Sequence, residues 1–192
     1  MSEQLEAIDK VASIDEIKAG TILNDKYVID STISNSSLKA AVFHAYYSGR
    51  QYAVKIYKFK SACDKIDIAK LCSIDSPFIV STVDIFNYGG NLAVVTPYYA
   101  KGSLNGIRVT TNDLKDYILP QINEGLSKLH YVNLYHGDLK PSNILMSDDG
   151  KSIAIEDYGQ YLFNSYLSGD FAYCKKEFTA PEVFEGNLNA YS

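Results

Sequence analysis

The pattern of apolar and polar residues changes at Lys26. The stretches KYVIDSTI (26–33) and AAVFHAYY (40–47) are rich in β-branched and aromatic residues and flank the polar turn SNSSLK. QYAVKIYKF (51–59) follows a Ser-Gly-Arg turn. These three segments predict antiparallel strands. Over residues 61–73, Ile66, Ile68 and Leu71 stand among polar residues, which suits a helix. FIVSTVDIFNY (78–88) and NLAVVTPYY (91–99) predict two more strands around the turn Gly89-Gly90. Residues 1–24 are polar and read as a loose or helical lead-in.

The second half has another rhythm. Thr111-Asn112-Asp113 is an N-cap signal, and LKDYILPQINEGLSKLHYVN then repeats apolar residues at helical spacing. Pro120 inside that run predicts a boundary or kink. A short strand pair follows, NILMS and SIAIED around Asp148-Asp149-Gly150, and then a long irregular segment. The predicted organisation is α+β, with a lead-in (1–24), a β-rich lobe with one helix (25–99) and a helix-led lobe (100–192), joined near Ala100-Lys101-Gly102-Ser103. Val54, Ile56, Leu71, Ile79, Val94, Leu126, Leu129, Ile144 and Ile155 are the expected core.

Composition narrows the classes. With 192 residues and 46% hydrophobic content the chain can build a real core. A net charge of −5 and a pI near 5.2 give no sign of nucleic-acid binding. Three cysteines without CxxC spacing argue against metal and disulfide frameworks and for reduced thiols. No apolar leader and no run of about 18 apolar residues is present, so a cytoplasmic chain without a membrane span is expected.

Candidate chemistry concentrates in HGDLKPSNIL (136–145). A carboxylate such as Asp138 can accept a proton from a hydroxyl. Lys140, two positions on, can neutralise a transferring phosphoryl group. Asn143 offers a hard oxygen suited to Mg²⁺, and Asp157, downstream in AIEDYG, a second. Upstream, period-two alternation puts Ala53 and Lys55 on one strand face, small beside cationic, as a flat base beside phosphates requires.

The set Ala-Val-Lys55, His-Gly-Asp138-Leu-Lys140-Pro-Ser-Asn143, Asp157-Tyr-Gly and Ala180-Pro181-Glu182 resembles the eukaryotic-type Ser/Thr protein kinases. Asn143 lies five positions and Asp157 nineteen positions after Asp138, as in that family. Residues 26–192 carry the resemblance, and the lead-in Ala-Gly-Thr-Ile-Leu-Asn-Asp-Lys-Tyr is similar to bacterial members. It implies a two-lobed protein-kinase-like fold, ATP and Mg²⁺ as cofactors and a protein substrate. Lys55, Asp138 and Lys140 would be catalytic, with Asn143 and Asp157 on the metal. Thr96 would be the gatekeeper, and the Pro97 carbonyl and Tyr99 amide would hold the adenine edge. Val42, Ala53 and Leu145 would sandwich the base; on the residues alone these three read equally as ordinary core. Asp67 takes the place of the glutamate that pairs with the strand lysine.

The pattern also breaks. The segment Ile33–Val42 contains no glycine where the family has three. Asp67 is one methylene shorter than glutamate. Gly137 replaces an arginine that holds phosphorylated loops, and Arg50 and Arg108 are the chain's two arginines. Lys175 stands where a threonine is usual. The sequence ends ten residues after Glu182, where the family continues with further helices. A truncated helical lobe of that kind would leave Leu126, Leu129 and Val132 short of partners and favour self-association. Two readings follow: an ATP-dependent Ser/Thr protein kinase, and a pseudokinase that binds nucleotide or protein partners as a scaffold.

Overall fold

The computed structural model describes residues 13–35, 40–60 and 71–158. The expected helix is described only from Leu71. Residues 36–39 of the glycine-free segment, Asp67, Lys175 and Ala180-Pro181-Glu182 all lie outside the described residues. The chain divides into two compact units, Met1–Lys65 with Thr82–Tyr98, and Ile66–Ser81 with Tyr99–Ser192.

The first unit is a six-stranded antiparallel sheet of β1 (Ile22–Leu23), β2 (Tyr27–Ser34), β3 (Ala40–Tyr47), β4 (Arg50–Lys60), β5 (Asp84–Tyr88) and β6 (Asn91–Pro97). Their order is β1-β2-β3-β4-β6-β5. Alternation sorts the two faces. Ala41, Phe43 and Ala45 on β3, Val54 and Ile56 on β4, and Ala93 and Val95 on β6 are buried in one cluster with Leu23, Tyr27 and Ile29. Each large apolar side chain in that cluster contributes about 1.5–3 kcal/mol of transfer free energy. Val94, expected in the core, is half-buried because it pairs with Lys55 on the opposite face.

The β1–β2 turn passes through Asn24 and Asp25, both at positive φ (48° and 56°). It is tied to the start of β5 by one carboxylate oxygen. Asp84 Oδ2 accepts from Lys26 Nζ at 2.8 Å, Tyr27 Oη at 3.1 Å and Asn24 Nδ2 at 3.1 Å.

In the second unit β7 (Ile144–Met146) and β8 (Ile153–Ile155) form a hairpin. Its turn is fixed by Asp149 Oδ1, which accepts from Ser147 Oγ (2.6 Å) and Lys151 N (2.8 Å). Phe78–Val80 was expected to open the strand that runs to Tyr88. It pairs with β8 instead: Ile155 N donates to Phe78 O and Val80 N to Ile155 O, both at 2.9 Å.

One long helical segment completes this unit. Thr110 caps it through a capping box with Asp113, one residue ahead of the expected signal. An α turn, Thr111–Asp113, widens into a π turn, Leu114–Ile118, and continues as α1, Leu119–Tyr131. Pro120 accounts for the widening. It has no N–H for the carbonyl four residues back, and its ring crowds that carbonyl; Leu119 N reaches Leu114 O, five residues back. Ile118, Ile122, Gly125 and Leu129 form the buried stripe, and Leu126, one position off it, is half-buried. Gly125 permits close packing: a Cβ there would stand 2.9 Å from Ile155 Cδ1 and 3.0 Å from Phe78 O. No helix among the described residues is long and apolar enough to cross a membrane.

Candidate active site

In the first unit the sheet register brings four sequence-predicted residues to one face. Val42 pairs with Lys55, His44 with Ala53, and Ala53 with Thr96. Val42, Ala53, Lys55 and Thr96 are all half-buried, on the side away from the apolar cluster. Lys55 Nζ lies 5.4 Å from the centroid of the Tyr57 ring. Tyr98 N donates to Gln51 O at 3.2 Å, which makes that pair a bonded rung of the ladder. Pro97, one residue earlier, occupies the alternate position, so its missing N–H costs no ladder bond and its carbonyl turns away from β4. Strand β5 begins at Asp84 opposite Val95 and does not reach Pro97. On that side Val83 N also donates to Val95 O at 2.8 Å, two residues before Pro97.

The second unit holds the loop before β7. His136 is fully buried. Its Nδ1 accepts from Asp138 N at 3.2 Å, so the ring proton sits on Nε2, which donates to Glu156 O at 2.9 Å. Burial pushes this imidazole below its ordinary value, opposed by the Glu156 carbonyl and by the nearby Asp157 and Asp138 carboxylates. The ring is neutral and clamps the loop to the strand end. Asn143, also buried, donates from Nδ2 to Asp138 O at 2.9 Å. Asn143 N bonds Lys140 O, and Glu156 N bonds Asn143 O, both at 2.9 Å. Lys140 Nζ pairs with Asp138 Oδ2 at 2.5 Å. Asp138, Lys140 and Asn143 are thus held as one hydrogen-bonded group.

Gly137 has φ +81°, a backbone conformation natural to glycine. Asp157, two residues beyond β8, has φ +60°, which aspartate tolerates better than most side chains. The chain therefore turns at Asp157 itself. Tyr158 anchors the turn through its hydroxyl, which donates to Val80 O at 3.0 Å. Leu145 is half-buried between the buried Ile144 and Met146, on the other side of the hairpin. Tyr99 is half-buried, and desolvation raises its phenol, with Glu156 and Asp148 adding to the effect.

The donor set suits Mg²⁺. Asn143 spends its amide N–H on Asp138, while its Oδ1 accepts from Ser142 Oγ at 3.3 Å and keeps a second lone pair for a cation, and Asp157 supplies a carboxylate. Among the described residues no three His, Cys, Asp or Glu side chains cluster for a metal. Two hard oxygens, completed by phosphate and water, are the usual way Mg²⁺ is held. His136 and Glu156 were not singled out in the sequence, although His136 stands two positions before Asp138.

Residues 38–192 match the family model described as protein kinase domain. A Dictyostelium discoideum protein named "Probable serine/threonine-protein kinase gdt4" is 28% identical over 183 residues, covering 88% of this chain and 11% of that protein. Mitogen-activated protein kinase kinase 8 of Arabidopsis thaliana is 30% identical over 138 residues, covering 64% of this chain and 44% of that protein. The chain therefore spans less than half the length of these relatives. The crystal structure of the Mycobacterium tuberculosis PknI kinase domain superposes with a TM-score of 0.62 at 16% identity, over 74% of this chain and 63% of that one.

Proposed function

The chain belongs to the protein kinase domain family, and from that premise we propose that it transfers the γ-phosphoryl group of ATP, with Mg²⁺, to a serine or threonine hydroxyl of a protein. The observation that carries this reading is the mutually bonded group of the half-buried Asp138 and Lys140 and the buried Asn143, clamped by a neutral His136. Catalysis of phosphoryl transfer is mostly positioning and electrostatics, and this loop is built for positioning.

Asp138 accepts the proton of the attacking hydroxyl as the new oxygen–phosphorus bond forms and the bond to ADP breaks. Lys140, beside the same carboxylate oxygen, offsets charge on the transferred group. Lys55 orients the α- and β-phosphates. Asn143 and Asp157 would hold Mg²⁺, which supplies charge neutralisation at the phosphates when bound. Val42, Ala53 and Leu145 bracket the base, Thr96 acts as gatekeeper, and the Pro97 carbonyl and Tyr99 amide read its edge. Asp67 stands at the sequence position of the family's lysine-pairing glutamate. A scaffold that binds nucleotide without transferring phosphate is the second reading, favoured by the glycine-free sequence Ile33–Val42.

Thermal unfolding with and without ATP–Mg²⁺ tests the site. Ligand at 100 times its Kd adds about 2.7 kcal/mol to the folded state, and Lys55→Met should remove the shift. Labelled phosphate should move from ATP to a basic acceptor protein and not with Asp138→Asn. A shift without transfer would establish the scaffold reading; no shift from a cooperatively folding chain would overturn both.

A further inference from the structure

Within the second unit, away from the loop at 136–143, a cleft of about 390 Å³ opens between residues 107–109, the π turn and the β7–β8 hairpin. Its apolar lining comes from Ile107, Val109 and Met146. Two cations, Lys101 and Arg108, also line it. Neither has a hydrogen-bond or ion-pair partner among the described residues. The acids nearby are committed. Asp113 Oδ2 accepts from Thr110 N (2.9 Å) and Thr110 Oγ1 (2.6 Å), and Asp149 Oδ1 is used by the hairpin turn. Asp148 does not line the cleft. The Asp149 carboxylate acts on Lys101 electrostatically without bonding it, so both cations keep N–H donors with no hydrogen-bond acceptor among the described residues, and a carboxylate would satisfy them, bidentately at the guanidinium.

The backbone on one wall points to the class of ligand. Ile107 (φ −113°, ψ 134°) and Thr110 (φ −86°, ψ 162°) bound an extended stretch. Among the described residues, the N–H and C=O groups of Arg108 and Val109 have no hydrogen-bond partner. An extended segment with unpaired main-chain groups is a template for a further strand. The opposite wall is rigid: Tyr117 Oη donates to Gly150 O at 3.3 Å, and Gln121 bonds Lys151 O and Ile153 N. Tyr117 lies in the π turn, a departure from α geometry often found at functional sites. Gly150, at φ +73°, leaves room for Lys101: a Cβ there would stand 2.8 Å from Lys101 Nζ.

We propose that this cleft docks an extended acidic peptide segment of a protein partner. The partner's main chain pairs at Arg108–Val109, an aliphatic side chain lies against Val109 and Met146, and a neighbouring carboxylate is held by Arg108 with Lys101 beside it. The site is independent of phosphotransfer and is to be tested by binding alone.

The probe is a short fluorescein-labelled peptide alternating leucine and glutamate, followed by anisotropy with the full chain. It should bind at least about tenfold more tightly than its leucine–glutamine counterpart, and less tightly as salt shortens the screening length. N-methylation of alternate peptide amides should abolish binding. Arg108→Glu and Lys101→Glu should each weaken it by about tenfold, and the double reversal should prefer a leucine–lysine peptide. Both residues are exposed, so an unchanged melting temperature will separate lost binding from lost folding. Absence of binding, equal affinity for the glutamine peptide, or indifference to both reversals would overturn the proposal. Free glutarate binding as tightly as the peptide would also overturn it, by assigning the cleft to a small carboxylate.

Discussion

The imidazole of His136 donates to the backbone carbonyl of Glu156 across twenty residues of sequence, and by doing so fixes where Asp138 sits. His136→Phe keeps an aromatic ring at a fully buried position and removes its bonds to Asp138 N and Glu156 O. The expected loss is about 1–3 kcal/mol in urea unfolding. The buried ring also takes protons less readily than an ordinary histidine at 6.5. Below pH 6.5 the unfolded chain gains a proton that the folded chain refuses, so stability falls as pH drops through that value. It is fully present above it. In His136→Phe this part of the pH dependence should vanish; a profile identical to that of the parent chain would contradict the buried neutral ring.

Asp84 makes the complementary prediction in the first unit. Burial acts to raise its carboxyl, but the bonds from Lys26, Tyr27 and Asn24 outweigh it and leave the value below 3.8. Its stabilisation is present above pH 3.8 and is lost as pH falls through the lowered folded value. Asp84→Asn should cost about 1 kcal/mol at neutral pH, a modest figure because the carboxylate is partly exposed. Hydrogen exchange should quicken first in the β1–β2 turn.

Gly125→Ala sets two effects against each other. Alanine is the better helix former by about 1 kcal/mol. The added methyl, however, meets a backbone carbonyl and two isoleucine side chains inside a packed contact, where overpacking costs about 1–3 kcal/mol. Ile155 and Ile79 can rotate, but Phe78 O is bonded to Ile155 N and cannot withdraw. A net destabilisation of about 1 kcal/mol is expected, read as a lower denaturation midpoint with an unchanged slope.

Gly137→Ala should cost about 1–2 kcal/mol, because the position stands at φ +81°. Phosphotransfer should fall more than nucleotide binding does, since the strain lies next to Asp138 and not on the face that carries Lys55. Equal losses in both would detach Gly137 from the positioning of Asp138.

Strands β2, β3, β4 and β6 were legible because period-two alternation and polar turns are local signals. Residues 78–83 were misread for a physical reason. An apolar β-branched run announces that it will pair but not with what, and here Phe78 and Val80 bond to β8, seventy-five residues on. Val94 shows the limit of hydrophobicity as a guide to burial, since half of a strand's apolar positions face a site. At the site, Asp138, Lys140 and Asn143 were visible through spacing. His136 was not, because a lone histidine carries no sign of burial until its two partners are in place.

The π turn at Leu114–Ile118 is, in sequence terms, a surplus of one residue. Deleting Lys115 or Asp116 would let the ladder heal to α and turn everything before it by about 100° around the axis. Thr110 and its cap would then swing off the face that borders the cleft. A homologue whose alignment needs a one-residue gap between Thr111 and Pro120 should therefore lack the wall formed by Ile107 and Val109, and the length of that short segment becomes a marker by which the cleft can be followed through the family.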